Sequence, residues 1–293
     1  MRFITLTTDF GTDSPYVAQM KGVILSLQGD ATIVDITHSV PPQNIRVGAL
    51  VLDEVCFRFP VGTIHIAVVD PGVGTARSMV YAEIGGHLFL APDNGLLGLV
   101  AERFPPTRLI TLADRQWWAE QVSNTFHGRD ILSPVAARLL EGLDPARLGP
   151  MQNSLVPLDW PRVVVKRAGD GGEIFGEVIA ADSFGNLVTN ITAADLDSCG
   201  DLLARVVITI RDHKLVGIGR TYGEHAPGNL VALVGSSGRL EVAMVNGNAL
   251  AIFDAGSGDP RITNAGSGDP RITKRAGAGG SRGMVGCPIS VKW

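Results

Sequence analysis

Two short segments, far apart in the chain, carry side chains that could do chemistry together. Val68-Val69-Asp70-Pro71-Gly72-Val73-Gly74-Thr75-Ala76-Arg77 offers a carboxylate and a guanidinium, and Asn124-Thr125-Phe126-His127-Gly128-Arg129-Asp130 offers an imidazole. The apolar run Thr63 to Val69 reads as a buried parallel strand, so Asp70 falls at its C-terminal end, where open α/β sheets place ligand sites. Pro71 keeps Asp70 extended and, with Gly72, forces a turn, after which Arg77 can return toward the carboxylate. Such a set suits chemistry on a small ligand.

Three further carboxylates, Asp9, Asp35 and Asp93, stand at or just beyond other predicted strand ends. One aspartate there is commonly a helix cap or turn former; four at one sheet edge favour a site. Asp9, in Asp9-Phe10-Gly11-Thr12-Asp13-Ser14, could accept both hydroxyls of a ribose, as a sheet-edge carboxylate does in dinucleotide folds. Neither G-x-G-x-x-G after the first strand nor G-x-x-x-x-G-K-[ST] is present, which argues for a nucleoside-like ligand without phosphates. The histidines lack H-x-H or H-x-x-x-H spacing, so no metal is expected, and the absence of G-x-S-x-G disfavours a serine hydrolase. Later in the chain, Asp182-Ser183-Phe184-Gly185-Asn186 and Ser236-Ser237-Gly238-Arg239-Leu240-Glu241 read as polar hairpin turns.

The elements that must position these groups follow two regimes. Up to residue 155, strands (Phe3 to Thr8, Ala31 to Ile36, Thr63 to Val69, His87 to Ala91, Leu109 to Leu112) alternate with helices (Ser14 to Gln28, Val47 to Phe57, Gly95 to Arg103, Ser133 to Glu141). This order predicts an α/β N-terminal domain with a Rossmann-like layered sheet. A Pro-punctuated linker over 156–163 leads to a smaller, all-β C-terminal domain over 164–293. Its strands are expected at Val163 to Lys166, Glu173 to Ala180, Leu187 to Ile191, Arg205 to Ile210, Leu230 to Val234, Leu240 to Val245 and Pro288 to Lys292. Within it, Ala255 to Thr263 recurs unchanged at Ala265 to Thr273 before a Gly-rich stretch. Two such short copies read as a tandem duplication forming a mobile loop over 255–283 rather than a solenoid.

Composition bounds the partners. The 293 residues are 45% hydrophobic with a net charge of −4, and the pI is near 5.9. That balance supports full hydrophobic cores and gives no basic field for nucleic acid or an anionic membrane. Three widely spaced cysteines suggest neither a disulfide framework nor a zinc site. An early carboxylate at Asp9 spoils a signal-peptide core, and no apolar run approaches the roughly 18 residues of a membrane span, so a cytoplasmic protein is expected.

As a set, these segments resemble the S-adenosyl-L-methionine hydroxide adenosyltransferase family, relatives of the fluorinating and chlorinating enzymes. The resemblance rests on Thr7-Thr8-Asp9-Phe10-Gly11, Asp35-Ile36-Thr37-His38, Pro41-Pro42-Gln43-Asn44-Ile45, Val69 to Gly74, Ala91-Pro92-Asp93-Asn94-Gly95, Phe126 to Asp130, Asp182 to Asn186 and Asn246-Gly247-Asn248-Ala249, in family order. It implies hydrolysis of S-adenosyl-L-methionine to adenosine and L-methionine, with no cofactor, in a homotrimer whose sites lie between subunits. It implies that Asp70, Arg77 and His127 prepare the water and that Asp9 binds the ribose. Asp182, Asn186 and Ser236, with Glu241 nearby, would hold the methionine, and the backbone around Met244, Val245 and Asn246 would read adenine. The fluorinating relatives replace the three triad positions by neutral residues and carry serine at the position of Gly128, so the resemblance points to water rather than halide. Arg77 would favour a developing hydroxide while Asp70 or His127 takes the proton. A non-catalytic S-adenosyl-L-methionine or adenosine sensor and a halogenase are the alternatives.

Overall fold

The structure, a computed structural model, describes residues 3–169, 171–255 and 283–293; the duplicated segment lies outside the described residues. The chain divides into two compact units between Trp160 and Pro161.

The first unit is a six-stranded mixed sheet in the order β2-β1-β3-β5-β4-β6. Its strands are β1 (Phe3–Thr8), β2 (Thr32–Thr37), β3 (Ile64–Val68), β4 (Met79–Ile84), β5 (His87–Pro92) and β6 (Arg108–Thr111). β2, β1, β3 and β5 run parallel, whereas β4 is antiparallel to both β5 and β6. The central strands β3 and β5 are mostly apolar and buried because both faces are covered. Ile4, Leu6, Ile64, Ile66 and Val68 face α1 (Tyr16–Leu27) and α4 (Ser133–Leu140). The alternate residues Ala67, Val69, Val80, Ala82 and Ala91 face α2 (Ile45–Val55) and α3 (Gly98–Arg103). A period of two thus builds three layers.

β4 is absent from the sequence expectation. Met79 to Ile84 is apolar apart from Glu83 and is followed by Gly85 and Gly86, both at positive φ (58° and 81°). Two consecutive left-handed residues form the tight turn that reverses one strand onto the next, which only glycine adopts cheaply. A Cβ on Gly85 would also lie 2.7 Å from the Phe57 ring.

The second unit is an eight-stranded antiparallel sheet ordered β11-β10-β14-β8-β9-β13-β12, with β7 also paired to β8. The strands are β7 (Val164–Ala168), β8 (Gly171–Ala181), β9 (Leu187–Thr192), β10 (Val207–Ile210), β11 (His213–Val216), β12 (Leu230–Val234), β13 (Arg239–Met244) and β14 (Pro288–Lys292). A bridge between Gly219 and Leu233 joins the two ends of that order, so the sheet is nearly a barrel. The unit is not wholly β. Thr192 caps α5 (Ala193–Leu196) through a reciprocal bond pattern with Asp195, a 3-10 segment follows over Asp197–Ala204, and α6 spans Ala249–Ala255. These helices escape a reading by alternation because they are too short to show a helical period.

One core feature is polar. His65 and His87, on β3 and β5, are buried, and Thr5 Oγ1, His65 Nδ1, His65 Nε2 and His87 Nδ1 form a chain with contacts of 2.7 and 3.1 Å. Burial, aided by the neighbouring His87, pulls the His65 pKa down to about 3 from 6.5. Above pH 6.5 this histidine is neutral both folded and unfolded and contributes no pH dependence. Below it the unfolded chain takes up a proton that the folded chain refuses. We expect stability to fall by about 1.4 kcal/mol per pH unit from this group as pH drops from 6.5 toward 3. Urea unfolding at several pH values, compared with His65→Gln, reads it; equal slopes for the two proteins would show that His65 is not held neutral.

Candidate active site

β1 and β3 are neighbouring parallel strands, with Thr8 opposite Val68, so Asp9 and Asp70 leave the sheet at the same carboxyl edge. Pro71 and Gly72 turn the chain, and Arg77 returns just ahead of β4. Its Nε donates to Asp70 Oδ1 and Oδ2 at 2.6 and 2.8 Å, and its Nη2 donates to Oδ2 as well. The pair is well enclosed, with side chains 4% (Asp70) and 9% (Arg77) exposed. Such a pair adds little net stability, but removing one partner strands a buried charge and costs about 3–5 kcal/mol.

The remaining direction of the guanidinium is aimed at the second segment: Arg77 Nη2 lies 2.9 Å from His127 Nδ1. Arginine has only donors and stays charged, so Nδ1 accepts and the ring proton sits on Nε2. Burial first, and then the Arg77 charge, lower the His127 pKa, against smaller opposing pulls from Asp70 and Asp130. His127 is therefore neutral at pH 7.

Two glycines let the segments meet. Gly74, at φ 80°, packs so closely that a Cβ would lie 2.8 Å from the Asn124 carbonyl oxygen. Gly128 lies against the end of β3 and α1, where a Cβ would come within 3.2 Å of Val68 Cγ2 and 3.3 Å of Met20 Sδ. His127 itself precedes a π-helical turn, Gly128–Leu132, that leads into α4.

The four sheet-edge aspartates have different employments. Asp9 Oδ2 accepts from the backbone N–H of Gln43 at 2.7 Å. Asp35 lies within β2 and pairs with Lys21 at 2.6 Å. Asp93 is spent on structure, its two oxygens accepting from Val156 N (2.8 Å) and Gln152 Nε2 (2.6 Å). Beside Asp9 and His127, Phe10, Tyr16 and Phe126 form an aromatic trio with centroids 5.2–5.7 Å apart, Phe126 edge-on to both of the others. It was not legible in sequence, because Phe126 joins Phe10 and Tyr16 from a segment more than a hundred residues away.

In the second unit, Asp182, Asn186, Ser236, Glu241 and Met244 line one cavity of about 710 Å³. Asp182 organises the β8–β9 turn: its Oδ1 accepts from the N–H groups of Phe184 (2.9 Å) and Asn186 (2.8 Å), and its Oδ2 from Asn186 Nδ2 (2.8 Å). Glu241 on β13 lies so close to Gly235 that a Cβ there would overlap its carboxylate. Burial and then the charges of Glu241 and Asp182 raise the Tyr222 pKa, keeping its phenol protonated at the rim. Val245 is not brought to the cavity. Its side chain packs with Val231, Leu233 and Ala243, and its N–H and C=O bond Asn229 O (3.0 Å) and Gly228 N (2.8 Å). Phe184, from the Asp182 to Asn186 turn, and Arg220 and Tyr222, which no motif marks, join the lining instead. Among the described residues no three His, Cys, Asp or Glu side chains cluster as metal ligands would, and no helix is long and apolar enough to cross a membrane.

Known proteins resemble this chain over both units. Residues 4–149 match the model of the SAM hydroxide adenosyltransferase N-terminal domain and residues 176–262 that of the C-terminal domain. The chain is 37% identical to a protein named (R)-S-adenosyl-L-methionine hydrolase from Salinispora tropica, over 88% of this chain and 95% of that one. It is 38% identical to a protein of the same name from Thermus thermophilus, over 85% and 94%. A fluorinase from Actinopolyspora mzabensis is more distant, 29% identical over 67% of this chain and 74% of that one. The crystal structure of an uncharacterized conserved protein from Thermotoga maritima superposes with a TM-score of 0.81 at 31% identity, covering 99% of both chains. The chain therefore belongs to the SAM hydroxide adenosyltransferase family.

Proposed function

We propose that the protein hydrolyses S-adenosyl-L-methionine to adenosine and L-methionine by attack of water on the ribose C5′. The observation that carries this reading is Arg77, clamped to Asp70 and donating to a neutral His127. The water oxygen forms the new bond to C5′, the C5′–S bond breaks, and its electron pair returns to sulfur as the methionine thioether. A sulfonium leaves readily, so the main task is to hold one water in line and stabilise the hydroxide character it gains. Arg77 supplies fixed positive charge. Because Arg77 occupies His127 Nδ1 and the ring proton sits on Nε2, the water proton goes to Asp70, and His127 orients the water through its N–H.

Asp9 binds the ribose hydroxyls, a role supported by its place at the carboxyl edge of the Rossmann-like parallel half of the sheet. Asp182 and Glu241 suit an ammonium, Ser236 and Asn186 a carboxylate, and the ends of the stretch Met244 to Asn246, which line the cavity where Val245 does not, suit adenine. No cofactor takes part. The triad belongs to the first unit and the methionine-binding residues to the second. This division suits a homotrimer in which each site joins the first unit of one subunit to the second unit of another.

Incubation with S-adenosyl-L-methionine should yield adenosine and methionine in equal amounts. Asp70→Asn, Arg77→Gln and His127→Ala should each lower turnover by about 10²- to 10⁴-fold while substrate still binds. A protein that binds S-adenosyl-L-methionine but forms neither product would be a sensor, and formation of a halogenated nucleoside in halide would make it a halogenase.

Shared sites predict complementation. Asp9→Ala and Ser236→Ala, each inactive alone, should recover activity when mixed and reassembled, since some interfaces then combine two intact halves. No recovery after demonstrated subunit exchange would place the whole site within one chain.

A further inference from the structure

We infer that Asp130, with Arg129, is the positioning residue that sets the height of His127 against Arg77. Arg129 and Asp130 directly follow His127-Gly128, yet neither is needed to touch substrate. Asp130 is nearly enclosed, its side chain 5% exposed. Its Oδ1 accepts from Arg129 Nε at 2.6 Å, and its Oδ2 from Arg129 Nη2 at 3.0 Å and from the Ser123 backbone N–H at 2.8 Å. Its own carbonyl accepts from Ala119 N at 2.8 Å. Ser123 and Asp130 are seven residues apart, so this one carboxylate closes the loop that contains Asn124 to His127. Arg129 fastens the closed loop to the unit: Nη1 donates to Gln19 Oε1 of α1 at 2.8 Å, and the guanidinium stacks 5.0 Å over Phe126.

The π turn gives this tether its leverage. Gly128–Leu132 holds an extra residue in the helical ladder, with the N–H groups of Arg129 and Asp130 both directed to Phe126 O. Ser133 Oγ takes up the Gly128 carbonyl at 2.8 Å. Such turns are rare and are kept where they aim a side chain. Asn124, on the far side of the same closed loop, meets Gly74 of the Asp70 loop. Closing the loop at Asp130 thus holds His127 Nδ1 at its 2.9 Å contact with Arg77. A displacement of about 1 Å at such a contact is enough to cost about 10²-fold in rate.

The inference rests on the hydrolytic reading for its kinetic arm but not for its spectroscopic one. Asp130→Asn keeps the shape and removes the charge; Arg129→Lys, at a half-buried position, keeps the charge and loses the fork, and serves if the first variant folds poorly. Each should lower kcat by about 10²-fold with KM within about twofold, and Asp130→Asn should cost nothing further in a His127→Ala background. In protein labelled with ¹⁵N-histidine, with His127 assigned by its loss in His127→Ala, the Nδ1 resonance should leave its hydrogen-bonded position in both variants. An unmoved resonance, a loss confined to KM, unchanged kcat, or the same loss in the His127→Ala background would overturn the inference. A resonance that moves in a protein that never turns over S-adenosyl-L-methionine would keep the positioning role and reject hydrolysis.

Discussion

A guanidinium has one plane and donors on fixed sides of it, and this constrains Arg77 more than any other group in the first unit. Committing its Nε edge to both oxygens of Asp70 leaves Nη2 pointing in one direction, and His127 Nδ1 occupies that direction. The imidazole must then be neutral, with its proton on the far nitrogen. One planar fork therefore fixes a charge, a tautomer and a line of approach together, and a lysine, with a freely rotating point charge, could not do so.

That interaction demands two backbone segments at close quarters, and much of the local chain reads as a response to the demand. Asp70 comes off a strand buried on both faces, so its position is as rigid as the sheet. Gly74 has a left-handed backbone and no Cβ where the Asn124 carbonyl approaches. Gly128 removes bulk between the imidazole-bearing turn and the ends of β3 and α1. On the opposite side the Gly85-Gly86 hairpin folds β4 back so that the returning loop, with Arg77, ends beside the parallel half of the sheet. The second unit applies the same device at Gly235, where the missing Cβ makes room for the Glu241 carboxylate.

A strand end followed by Pro-Gly is a local signal that drew attention to Asp70 and Arg77, whereas the grouping of His127 with them as a triad came from the family resemblance. The parallel strands and the helices that cover them were readable because their apolar periods are long. β4 and β11 were not: Glu83 interrupts the apolar residues of β4, and β11 offers only Leu215 and Val216 after a polar turn. The aspartates show where pattern alone stops. Asp9, Asp35, Asp70 and Asp93 look alike in sequence, yet Asp93 is consumed by Gln152 and Val156 from a distant segment and Asp35 by Lys21. Tyr222 and Arg220 reach the second unit's cavity from a turn that carries no motif, and Val245, just past the end of β13, packs with Val231, Leu233 and Ala243 instead of lining it. What was hidden depended on contacts between residues far apart in the chain.

The central claim is that water, prepared at Arg77, attacks C5′ of the ribose. Running the reaction in ¹⁸O-labelled water under single-turnover conditions tests it directly, with mass analysis of both products. The account predicts one label on the 5′-oxygen of adenosine and none on methionine, in wild-type protein and in the residual activity of Asp70→Asn. Label-free adenosine, or label appearing in methionine, would mean that a different bond is broken and would contradict the account.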